Sequence, residues 1–133
     1  MRRIVKLFGL IAALAILATL LLRVAWVFLP PDEVVVVNRS GEAVVSGRLE
    51  IGITPHELGT IAPGDNRRFK YRWSGGNADF GVHAVLASGR TVSGRAGYID
   101  GLAVGHWRET IAIYSNRIDE ERMEALPFFG DGR

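Results

Sequence analysis

The 133-residue chain contains no cysteine. That excludes disulfides, thiolate metal sites and cysteine nucleophiles. It leaves the redox compartment open, because a domain of this size can build a core without staples. Acidic residues are missing from the first 31 positions, which hold Arg2, Arg3, Lys6 and Arg23. The rest then carries 12 basic against 14 acidic residues, so the excess positive charge belongs to the N-terminal segment. A nucleic-acid-binding domain would carry that excess itself, and nucleic acid is set aside as a partner. Enzyme signatures are also missing. His56-Glu57-Leu58-Gly59-Thr60 begins like a zinc-protease helix, but Thr60 stands where the second histidine belongs. Ser93 has no glycine two residues before it, as a nucleophile elbow needs, and no phosphate-binding glycine loop occurs. No catalytic residue, cofactor or small-molecule substrate is expected, and the chain reads as a non-enzyme.

What is present begins with an apolar leader. Leu7 to Leu22 carries no charge and would extend about 24 Å as a helix. Continued to Leu29 it passes Arg23, whose guanidinium can snorkel to headgroups, and reaches Trp26 and Phe28 before Pro30 and Pro31 stop it. Basic residues precede the run. The pattern predicts a single transmembrane helix over 1–29, N-terminus in the cytoplasm, a linker over 30–32, and the remainder periplasmic or otherwise extracytoplasmic. A cleaved leader would need small residues at −3 and −1, and a cut after Ala25 puts Arg23 at −3.

From residue 33 to 116 short apolar runs alternate with turn residues. Strands are expected at 33–38, 43–53, 57–62, 66–73, 79–87, 91–99 and 106–115. Without helices between them the pairing should be antiparallel. About seven strands point to an all-β, immunoglobulin-like sandwich. Parity puts Val45, Leu49, Ile51 and Ile53 on one face of the second strand, and Val92, Ala96 and Tyr98 inward on the sixth. Asp119-Glu120-Glu121 would open a short C-terminal helix within 117–133.

Asn66 to Trp73, NRRFKYRW, alternates aromatic and basic residues. Phe69, Tyr71 and Trp73 share one parity, which suits a strand with one buried face. Arg67, Arg68, Lys70 and Arg72 form a basic stretch that could contact an anionic lipid or polymer surface; Arg48 and Arg95 could extend it if their strands are neighbours, with Glu50 interrupting the patch. His56, His83 and His106 are too far apart in sequence to ligate as a local motif, so a metal site, with Asp100 or Glu109, would need the fold to gather them. Asn38-Arg39-Ser40 matches a glycosylation acceptor, a tripeptide common by chance.

The Asn-Arg-Ser-Gly turn after the first strand and Pro63-Gly64-Asp65 before the fourth resemble turns in CARDB and fibronectin type III-like β-sandwich modules, over residues 33–115. The resemblance implies an adhesion, spacer or interaction unit and carries no site residues. The chain also resembles small single-pass proteins of bacterial envelopes. The sequence thus reads as a membrane-anchored accessory module with an envelope protein as partner.

Overall fold

The structure, a computed structural model, describes residues 2–101 and 105–127, with side chains of residues 2–7 and 25–27 set aside. The chain forms two compact units, Met1–Pro30 and Pro31–Arg133. The first is helix α1, Arg2–Phe28. Its described side chains, Phe8 to Val24, are all exposed. The expected membrane span is corrected here: among the described residues no helix is long and apolar enough to cross a membrane. Phe8 to Val24 extends roughly 25 Å, against about 30 Å of hydrocarbon, and includes Arg23. The single-pass topology, the inner-membrane and extracytoplasmic placement, and the membrane as partner lose their support with it. The role as a membrane-anchored envelope module falls for the same reason. The flanking basic side chains and Trp26 lie outside the described side chains.

The second unit is a sandwich of two four-stranded sheets. Its strands are β1 Asp32–Asn38, β2 Val44–Ile51, β3 Thr54–Glu57, β4 Asn66–Tyr71, β5 Ala78–Leu86, β6 Thr91–Ile99, β7 Trp107–Ile113 and β8 Ile118–Ala125. One sheet runs β4-β1-β7-β8 and the other β3-β2-β5-β6. Val34, Val36, Ile111 and Ile113 from the first meet Leu49, Ile51, Phe80, Val82, Ala84 and Leu86 from the second. Phe69, Tyr71 and Trp73 pack against this core, as their parity predicts.

Four local expectations are corrected. The pairing is not antiparallel throughout, because β1 and β7 run parallel, Val34 opposite Glu109 and Val36 opposite Ile111. The chain changes sheets between them, so it returns in the same direction without a crossover helix. Residues 117–126 form no helix. A turn, with the Tyr114 N–H donating to the Arg117 carbonyl at 2.9 Å, sends β8 back along β7. Ladder bonds and the Arg108–Glu124 pair at 3.2 Å outweigh the helix preference of this acidic run, and charge suits an edge strand. The third strand lies at 54–57 rather than 57–62. Leu58 and Ile61 beyond it are still buried, and Ile61 bridges Val44. Finally, a bulge between Val44 and Ser46 reverses parity at the start of β2, so Val44 is buried and Val45 turns out, while Ile53 lies in the turn between β2 and β3 and is 93% exposed.

Asn38, fully buried at the end of β1, organises the turns. Its amide donates to the carbonyls of Glu42 at 2.7 Å and Ile61 at 2.9 Å. Its Oδ1 accepts from Ser40 N–H at 3.0 Å and Ser40 Oγ at 2.7 Å. A side chain so enclosed cannot accept a glycan.

Candidate functional site

The basic stretch does not gather onto one face. Arg68 lies on the outer face of its sheet, 3.9 Å from Glu33. Arg67 has the opposite parity and donates to the Thr60 carbonyl at 3.4 Å. Lys70 and Arg72 border an edge crevice of about 200 Å³ with His56 and Trp73. Arg48 and Arg95 belong to the other sheet. The outer face of β4-β1-β7-β8 is a row of alternating charge. Buried Glu33 accepts from Arg108 at 2.9 Å, Arg108 reaches Glu124 at 3.2 Å, and Glu124 meets Arg122 at 3.0 Å. Hydrogen bonding to Glu33 raises the Arg108 pKa, holding the guanidinium charged.

A hollow lies on the outer face of β3-β2-β5-β6. Two rows of side chains run across it. Glu57, Arg48, His83 and Ser93 stand opposite one another on successive strands. In the next row Gly81 separates Glu50 from Arg95. The Glu50 side chain lies over Gly81, its carboxylate 3.0 Å from where a Cβ would stand, beside a hollow of about 340 Å³ lined by Arg48, Glu50, His83, Ser93 and Arg95. Arg48 pairs with Glu50 at 3.1 Å, and Arg95 with Asp79 at 2.7 Å; both guanidinium side chains remain more than half exposed. Parity in single strands hints at Arg48 and Arg95 as outward residues, but only the register brings them to opposite sides of one hollow, across β5.

A second group lies between the sheets. Glu109 of β7 is 3% exposed and accepts from the Tyr98 N–H at 2.9 Å. Burial pushes its pKa up to about 7, opposed by the Tyr98 hydrogen bond and reinforced by Glu120. It faces a crevice of about 30 Å³ that also meets Asp32, Asp100 and Tyr98. Asp32 accepts from the Trp107 N–H at 2.9 Å, and burial raises its pKa as well. The sequence reading had Glu109 only as a companion of the histidines. A lone acid at an inward position of an apolar strand was the available signal.

The fold does not bring the histidines together. His56 stacks obliquely near Phe69 at 5.7 Å, His83 is in the hollow, and His106 sits beside Asp32. Among the described residues no group of three metal-ligating side chains forms, which corrects the metal-binding alternative.

No family model matches the chain. No curated protein matches it. A solved structure described as the NMR structure of the protein from Eubacterium rectale is similar at 14% identity, with a TM-score of 0.48, over 77% of this chain and 93% of that one.

Proposed function

We propose that the sandwich is a non-catalytic binding module whose seat, the hollow at Gly81, takes the carboxylate or phosphate of a small ligand. The observation that carries this is the convergence of Arg48, Arg95, His83 and Ser93 on one hollow, where the Glu50 side chain, paired with Arg48, lies over Gly81 and must swing aside for an anion. Guanidinium groups present paired donors that match either anion. Each arginine is held by a neighbouring carboxylate, Glu50 or Asp79, so an incoming anion must use the donors left exposed or displace that carboxylate. A hydrolytic role for His83 and Ser93 fits poorly. Across from Ser93, the other neighbour of His83 is Arg48, a cation, where an orienting carboxylate would be needed. The resemblance of the turns to CARDB and fibronectin type III-like modules supports an interaction unit and does not bear on the hollow.

The test is an amide-resolved NMR titration of the full-length chain with inorganic phosphate and with glutamate at low salt. Saturable shifts at Gly81, Ser93 and Gly94, lost in the Arg48→Gln/Arg95→Gln double variant, are expected. Shifts that survive the double substitution, or none at these amides, overturn the reading.

A further inference from the structure

Glu109 lies apart from the hollow and makes a contact the binding reading does not use. Its carboxylate occupies the space beneath a bulge in β6, where Gly97 and Tyr98 together stand opposite Asp79. Gly97 has φ +71°, and a Cβ there would overlap the Glu109 carboxylate and crowd Phe80. The bulge is therefore seated directly on Glu109, with the Tyr98 N–H as its hydrogen bond. This bond joins β6 of one sheet to β7 of the other.

Among the described residues the crevice lining holds acidic and aromatic side chains and no lysine or arginine. Asp32 faces the crevice from β1, Tyr71 from β4, Tyr98 and Asp100 from the end of β6, and Met123 from β8. Glu120 of β8 acts on Glu109 through its charge. Arg72 and His106 also lie at this end and act on Asp32. Arg108, next to Glu109 in the chain, is engaged with Glu33 and Glu124. Among the described residues an ionised Glu109 thus has the Tyr98 N–H as its hydrogen-bond donor, with the Tyr71 hydroxyl and Trp107 on the same crevice and room for about one water.

We propose that Glu109 is a proton-operated latch between the sheets: neutral, it seats the β6 bulge on β7; ionised, it admits water and lifts the bulge away. A buried carboxylate with acids around it lowers its energy by reaching solvent. The bulge is the element free to yield, since β6 is the edge of its sheet. The pKa rises from 4.5 to about 7 on folding, so the neutral form's contribution is full below about pH 4.5 and is lost as pH rises through 7.

The experiment follows the full-length chain from pH 5 to 9 by Tyr98 amide shift, amide exchange and thermal unfolding, beside Glu109→Gln and Glu120→Gln. In the parent chain the Tyr98 amide should titrate near pH 7, lose exchange protection above it, and Tm should fall by on the order of 10 °C. Glu109→Gln keeps an acceptor for Tyr98 and should hold protection and Tm level across this window. Glu120→Gln, an exposed change that spares folding, should move the midpoint to lower pH. A Tyr98 amide that stays protected to pH 9 in the parent chain, or an unmoved midpoint in Glu120→Gln, overturns the latch even if Glu109→Gln does not fold.

Discussion

Gly97 and Gly41 both hold positive φ, at +71° and +83°, yet they occupy different surroundings. Nothing lies within 4 Å of a Cβ built at Gly41, whereas at Gly97 the Glu109 carboxylate fills that space. Gly41→Ala should therefore cost only backbone strain, about 1 kcal/mol. Gly97→Ala adds a displaced buried carboxyl and should cost about 2 kcal/mol more. Chemical denaturation of the two variants measures the difference. Equal losses would mean that the bulge is not seated on Glu109. Gly52, with φ +60° under the Trp73 indole, shows the same combination of turn and close approach.

Among the elements, β1 shows how a strand with valines on both faces is accommodated at the outside of a sandwich. Val34 and Val36 enter the core, while Val35 and Val37 are 7% and 8% exposed on the outer face. Arg68 stands opposite Val35, and long side chains of this kind can cover apolar surface with their stems while the heads pair outward. Glu33, buried on the same face, depends on Arg108. Arg108→Ala should leave that carboxylate underpaired and cost about 3 kcal/mol. Arg122→Ala removes a side chain that is 72% exposed and should change stability by less than about 0.5 kcal/mol. Urea midpoints of the two variants check this; similar losses would deny Glu33 its dependence on Arg108.

For the whole sandwich, the pairing of β1 with β7 sets the closing step. The bond from the Trp107 N–H to Asp32 joins residues 75 positions apart, so most of the domain's chain must be ordered as this pair forms. Folding of this unit should then be slow for its size, on the order of milliseconds to seconds rather than microseconds. Stopped-flow refolding of the full-length chain, followed by tryptophan fluorescence, reads this directly. Microsecond refolding would contradict a topology dominated by distant pairs.

Much of this was legible one strand at a time. The alternation of Phe69, Tyr71 and Trp73 with Arg68 and Lys70 specified a half-buried strand, because side chains in a strand alternate faces whatever the partner. The turn at Pro63-Gly64-Asp65 and the apolar run of β1 were readable for the same local reason, and the succession of about seven short strands without helices between them implied a two-sheet sandwich. Local pattern misled where an inserted residue shifts parity, as at Val45 and at Gly97-Tyr98, since a bulge forms only when a partner strand is present. It misled again at β8, where hydrogen bonds from β7 outweighed a preference carried by single residues. The hollow at Gly81 and the seat of Glu109 have no local signature at all. Composition and alternation are properties of one chain segment, whereas Arg48, His83 and Ser93 become neighbours only through cross-strand register, and Glu109 loses its water only when two sheets close over it.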